Sequence, residues 1–344
     1  MAAEASTPGR PRPVAAASSA YLSATSSMAT LDTTPSSSTE PEVHSMTLRD
    51  GRSLAYALLG ARIAGAAAVC IYHHGVPASL VEAEPLAAAA APLGIAIVAF
   101  DRPGMGGSTY NPRMSIQSVA DDARQLMDHL GLRAAVQVGE SGGVPYAAGF
   151  AAAHQQRTQA LLLVAGLAAV HGRENAGLRK CLSSMDRFSM NWAARLGGAR
   201  LISHFVKLAA DRLPGMVKRG AGDSLGPCDA RYLKDNEAAK DWLVRFMTRA
   251  YRPGVRGVLL DYRVLGGDWG ELDVASIASR TAIWHGGGDR VVPPVHAQWW
   301  HKRVAGSELH IVPDEGHISL VGRHAEEILQ DLLRGLPQPM AADE

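Results

Sequence analysis

The sequence is poor in cysteine. Its three, Cys70, Cys181 and Cys228, lie far apart, with no C-x-x-C pair and no Cys/His ligand spacing. That argues against a disulfide framework or a zinc site and fits a reducing compartment. Charge of either sign is not in excess: the net charge of +1 gives no electrostatic footprint for nucleic acid or an anionic membrane. No apolar run reaches the roughly 20 residues that a membrane helix needs. "PGMGGS" lacks the lysine of a phosphate-binding loop, and no G-x-G-x-x-G follows the first strand-like run, which disfavours nucleotide binding. The expectation is a cytoplasmic protein without metal or organic cofactor, without nucleic-acid or membrane partners, and with homo-oligomerisation open.

The 344 residues suffice for one large domain or two modest ones. Residues 1–42 are rich in Ala, Ser, Thr and Pro and short of large apolar side chains, so they are expected to be a disordered tail. The segment has no continuous apolar core of a secretory signal. Its Ser-rich, acid-poor make-up is compatible with a transit peptide, or with a dispensable leader ahead of Met28 or Met46. Residues 338–344 are expected to form a short C-terminal tail.

What is present is an alternation of strands and helices. Two β-like runs flank Asp50-Gly51, a two-residue hairpin signal. "AAAVCIYHHG", "IAIVAFDRPGMGGS", "AAVQV" and "TQALLLVAGL" are apolar runs that end in loops, separated by helical patterns. In one of these patterns, Ile116, Val119, Ala123, Leu126, Met127 and Leu130 recur at helical spacing, with Ser115 as cap and Gly131 as stop. Near-continuous Val/Ile/Leu/Ala strands imply a mostly parallel, doubly wound α/β sheet covered on both faces. The alternation stops near Ala168 and resumes at "TAIWHGGGD". The expected layout is an α/β core over 43–168 and 271–337 with a helical cap, 169–270, inserted between two strands.

Gly139-Glu140-Ser141-Gly142-Gly143 is a G-x-S-x-G pentapeptide with a strand before it and a helix after it, the context the motif requires. A tight strand-to-helix turn lifts the serine hydroxyl above the sheet, and the free N–H groups of the following helix face any negative charge that develops there. Serine needs a base and an orienting acid. Asp289 in "GGGDRVVPP" and His317 in "DEGHISL" each follow a strand-like run, in the order Ser, acid, His. Glu174 and Asp314 are weaker acid candidates, and His285 and His310 fall inside strand-like runs. The candidate oxyanion donors are the N–H groups of Gly142 and of Val76, in the loop after "YHHG".

These segments together resemble the α/β-hydrolase superfamily. "HHGVPAS" is similar to its oxyanion loop, "FDRPGMGGS" to its Asp-Arg-x-Gly-x-Gly-x-Ser segment, "GESGG" to its nucleophile elbow, and "GGGDRVVPP" and "EGHISL" to its acid and histidine loops. The resemblance covers about residues 45 to 335, apart from the insertion, which resembles the cap of capped members. It implies an α/β-hydrolase fold and a Ser141–His317–Asp289 triad. A serine at position 141 departs from the aspartate of epoxide hydrolases and haloalkane dehalogenases of this fold. It implies acyl transfer from an ester, thioester, lactone or amide through an acyl-enzyme.

The chain also resembles hydrolases near the proline iminopeptidases, whose caps hold a substrate amine with acidic residues. Here residues 171–256 carry 17 Lys and Arg against 8 Asp and Glu. That favours an esterase-like small-molecule hydrolase over a peptidase, and a basic cap either suits anionic substrates or is a solvated helical face. Trp269, Trp192 and Trp242, with Met185 and Phe188, are the candidate pocket residues. The alternatives are a lyase, haloperoxidase, acyltransferase or C–C bond hydrolase using the same triad, and a non-catalytic small-molecule binding protein.

Overall fold

The continuous apolar runs become the centre of an eight-stranded sheet. A computed structural model describes residues 40–193, 208, 211–212, 215, 225–270 and 272–336. The strands are β1 (His44–Thr47), β2 (Ser53–Gly60), β3 (Ala68–His73), β4 (Ile95–Phe100), β5 (Ala135–Glu140), β6 (Thr158–Val164), β7 (Thr281–Gly286) and β8 (Glu308–Val312). They lie in the order β1-β2-β4-β3-β5-β6-β7-β8. β2 runs antiparallel to both its neighbours, and every pairing from β4-β3 to β7-β8 is parallel. Every residue of β4, β5 and β7 is buried, as expected for strands with helices on both faces. Residues 1–39 of the expected tail, residues 338–344 and much of the 191–213 helical patch lie outside the described residues.

The helices are α1 (Glu84–Ala90), α2 (Ile116–His129), α3 (Val144–Ala153), α4 (Ala176–Cys181), α5 (Ser184–Phe188), α6 (Pro227–Lys234), α7 (Glu237–Ala250), α8 (Arg256–Leu265), α9 (Val295–His301) and α10 (Ser319–Arg334). α2 buries Ile116, Val119, Ala123, Leu126 and Met127. Ser115 caps it by accepting the Ser118 N–H, in a reciprocal box with the Ser118 hydroxyl. α2, α3 and α9 contribute to the apolar cluster on one face of the sheet, and α1 and α10 to the cluster on the other. No described helix is long and apolar enough to cross a membrane.

One expectation is corrected. β1 and β2 pair from His44↔Tyr56 to Thr47↔Ser53, so residues 48–52 form the connection and not Asp50-Gly51 alone. Leu48 is buried, which draws the apolar residue out of the strand line and into the core. The Gly51 N–H then closes on the Leu48 carbonyl at 2.9 Å. At the N-terminus, Glu40, which composition places in the tail, accepts from Arg249 at 3.0 Å and also bonds Arg252.

Between β6 and β7 the described residues contain helices and no strand. This insertion is fixed to the core by buried polar contacts. Arg102 meets Asp261 of α8 at 2.6 Å and Asp101 meets Arg249 of α7 at 2.8 Å, all four side chains buried. Arg245 forms a bidentate pair with Glu84. Part of the basic surplus of the insertion is therefore spent on carboxylates of the main sheet unit and not on a ligand.

Candidate active site

The pentapeptide sits where sequence alone places it. β5 delivers Ser141 into the short turn Ser141–Gly143, and α3 follows. Ser141 adopts φ +53°, a left-handed conformation that costs a non-glycine residue about 1–3 kcal/mol unless its surroundings enforce it. The neighbouring glycines show what enforces it. A Cβ at Gly139 would lie 2.7 Å from Val144 Cα, and one at Gly143 would lie 1.9 Å from the His73 carbonyl oxygen. Strand, turn and helix are packed too closely for any side chain at either position.

Three side chains from three loops meet here. Ser141 Oγ lies 3.0 Å from His317 Nε2, and His317 Nδ1 lies 2.7 Å from Asp289 Oδ2. Asp289 follows β7, and its other oxygen accepts the N–H groups of Val291 and Val292. All three residues are buried. Burial opposes ionisation of Asp289, but the His317 and His285 imidazoles beside it outweigh that and hold its carboxyl well below the usual carboxylate range. An ionised Asp289 only accepts, so the ring proton belongs on His317 Nδ1 and the Nε2 lone pair faces the serine hydroxyl. Burial alone lowers the pKa of His317; the carboxylates of Asp289, Asp229 and Glu140 overcome it and raise it.

The loop after β3 carries the second donor candidate. The Gly75 N–H is taken by Glu82 Oε2 at 2.5 Å, and the His74 and Gly75 carbonyls are taken by Arg102. Val76 is the next amide, and its N–H donates to no described group. Gly142 follows the serine in the turn Ser141–Gly143, where N–H groups lack intrahelical acceptors. A Cβ at Gly142 would lie 2.8 Å from Val76 Cγ1 and 3.0 Å from Leu265 Cδ1. The two candidate donors are therefore neighbours, and the end of α8 closes over them.

Beneath this loop lies a buried acid pair that sequence reading missed. The Tyr72 hydroxyl is 2.5 Å from Glu140 Oε2 and 3.2 Å from Glu82 Oε2. Burial pushes both carboxyls up, Glu82 to about 8 with help from the charge of Glu140, and Glu140 to about 7. "VEAEP" and "GESGG" gave no sign of this, because the partners come from different segments.

Among the described residues expected to line a pocket, Trp269 and Trp242 fall in different apolar clusters. Trp242 is buried, its indole N–H donates to the Val81 carbonyl at 3.1 Å, and it packs edge-on against Phe246. It wedges α7 against the main unit. Trp269 stacks on Trp300 and donates to the Leu265 carbonyl. It lines a cavity of about 330 Å³ with Pro112, Met114, Gln117, Leu260 and Arg263, to which Ser141 and His317 do not contribute. Phe188 is 54% exposed. The side chains of Trp192 and Met185 lie outside the described residues. Of the weaker candidates, His285 bonds the Val292 carbonyl and His310 stacks on Trp284. Glu308, His310 and Asp331 have the atoms of a cation site, but Arg280 already bridges both carboxylates.

A family model described as alpha/beta hydrolase fold matches residues 69–323. Among solved structures, the chain is similar to an enol-lactonase from Burkholderia xenovorans, with 17% identity, a TM-score of 0.62, and 84% of this chain and 98% of that one covered. It is similar to an esterase from Exiguobacterium antarcticum, with 18% identity, a TM-score of 0.62, and coverage of 85% and 100%. It is also similar to a bromoperoxidase from Bacillus anthracis, with 16% identity, a TM-score of 0.61, and coverage of 85% and 99%. No curated protein matches the sequence.

Proposed function

Because the chain belongs to the alpha/beta hydrolase fold family, we propose that it is a serine hydrolase that cleaves an ester, lactone or amide of a small molecule through an acyl-enzyme. The observation that carries this reading is the unbroken series from Ser141 Oγ to His317 Nε2 and from His317 Nδ1 to Asp289, at an elbow whose backbone is held at φ +53°.

In this mechanism His317 takes the hydroxyl proton as Ser141 attacks the carbonyl carbon. The oxyanion accepts the N–H groups of Val76 and Gly142. His317 then gives its proton to the leaving alcohol or amine. Water enters, His317 deprotonates it, and the second tetrahedral adduct collapses to release the acid and restore the serine. Asp289 keeps the imidazole in its tautomer and balances the imidazolium charge. An enol-lactonase and an esterase among the similar structures agree with this reaction class.

The test is hydrolysis of short p-nitrophenyl esters by the intact protein beside Ser141→Ala and His317→Ala. Each variant is expected to lose several orders of magnitude in turnover. A fluorophosphonate is expected to label Ser141 in the intact protein only. Retained turnover in His317→Ala would remove the histidine from the mechanism.

A further inference from the structure

One helix of the insertion touches both the loop that carries Asp289 and the loop that carries His317. A Cβ at Gly288 would lie 2.5 Å from Cys228 Sγ, one at Gly316 would lie 2.4 Å from Asp229 Oδ1, and one at Gly322 would lie 2.3 Å from the Tyr232 hydroxyl oxygen. Cys228, Asp229 and Tyr232 all belong to α6. Gly288 precedes Asp289, Gly316 precedes His317, and Gly322 lies in the first turn of α10. Three glycines thus admit α6 to contact distance at three points around the acid and the base.

Asp229 is the polar centre of that contact. It is fully buried. Its Oδ2 accepts the N–H of His317 at 2.8 Å, and its Oδ1 accepts the N–H groups of Ile318 and Ser319 at 2.9 Å each. The first N–H groups of a helix have no intrahelical acceptor. Ile318, at the N-cap of α10, has no side chain able to supply one. A carboxylate 90 residues earlier in the chain than Ser319 does so instead, and its charge suits the positive end of the helix.

We infer that Asp229 is a positioning residue for His317: it fixes the backbone of the histidine at the start of α10, so that the ring spans Ser141 and Asp289, and the insertion thereby completes the catalytic base as well as covering the site. The inference rests on the reading of His317 as that base. Without Asp229, three buried donors lose their acceptor, and the histidine loop is free to move from its hydrogen-bonding position. A shift of about 1 Å in a catalytic group costs on the order of a hundredfold in rate. The charge of Asp229 also acts on the ring. The titratable groups facing His317 are Asp289 from the loop after β7, Glu140 at the end of β5, Glu82 from the turn after β3, Asp186 of α5, and Asp229 itself. Each of these carboxylates, when ionised, favours the imidazolium.

The experiment compares the intact chain with Asp229→Asn, using the pH dependence of ester hydrolysis and the rate of fluorophosphonate labelling at Ser141. In the variant kcat and the labelling rate are expected to fall on the order of a hundredfold with KM little changed, and the acid limb of kcat/KM to move to lower pH because a charge favouring the imidazolium is gone. Equal labelling rates with an unmoved acid limb would overturn the inference and leave Asp229 as a helix cap only. No labelling of the intact chain would instead overturn the reading of Ser141 as nucleophile. Should Asp229→Asn fail to fold, hydrogen exchange on the intact chain decides. Residues 226–234 and 314–322 are expected to open as one unit, and independent opening would overturn the inference.

Discussion

Arg102 of the main unit and Asp261 of α8 meet at 2.6 Å with neither side chain exposed. The same guanidinium holds the His74 and Gly75 carbonyls, and the Tyr146 hydroxyl donates to the second oxygen of Asp261 at 2.5 Å. The inserted helix, the loop presenting Val76 and the helix after Ser141 therefore share one polar knot. A buried pair adds little over well-packed apolar residues, but removing one member strands a buried charge. Asp261→Ala is expected to cost about 3–5 kcal/mol in urea unfolding. Asp261→Asn, which keeps an acceptor for Tyr146, is expected to cost less. An unchanged unfolding midpoint in the alanine variant would show that the His74 and Gly75 carbonyls alone suffice to hold Arg102.

The pH dependence of turnover follows from His317. It must be neutral to take the serine proton. Burial favours that neutral form, but Asp289, Asp229 and Glu140 overcome it and raise the pKa above the ordinary 6.5. Activity is therefore expected to fall as the pH drops through a midpoint above 6.5, measured as kcat/KM with an ester whose leaving group does not titrate in that range. A midpoint below 6.5 would mean that desolvation, and not the surrounding carboxylates, governs the ring.

Glu82 and Glu140 are expected to make stability fall as the pH rises. Their carboxyls are raised from 4.5 to about 8 and about 7, chiefly by burial. Between these limits the folded chain keeps protons that the unfolded chain has released, so the unfolded state binds fewer and stability declines as pH rises. Glu82→Gln removes one titration and keeps an acceptor for the Gly75 N–H. Thermal midpoints from pH 5 to 8 are expected to fall less steeply in this variant than in the intact chain. Parallel curves would show that burial does not raise the Glu82 carboxyl in the folded chain.

The sequence disclosed what depends on local pattern. The parallel strands were legible because burial on both faces demands continuous Val, Ile, Leu and Ala. The elbow was legible because a strand, a tight turn and a helix leave room only for glycine at 139 and 143. Asp289 and His317 stood out because each follows a strand in a fixed order. Long-range polar partners left no such trace. Nothing in "GPCDARYL" marks Asp229 as the cap of a helix near residue 319, since the fold alone brings them together. The turn at 48–52 departs from the local pattern because Asp50-Gly51 fits a hairpin by itself, while Leu48 answers to the core.

The aromatic residues test how far that limit extends. Tryptophans in helical patches have no face that sequence alone assigns, so the sequence offers Trp242 as no more than a pocket candidate. Its burial, its bond to the Val81 carbonyl and its contact with Phe246 assign it to packing between α7 and the turn after β3. Trp242→Ala is expected to destabilise the chain by about 3–5 kcal/mol, read by urea unfolding, while the ratio of activities on short and long acyl esters changes little. Trp242→Phe retains much of the volume and loses the bond to Val81, so it should lie between the two. A variant that unfolds normally but shifts acyl preference would return Trp242 to the pocket and make α7 a wall of the substrate site.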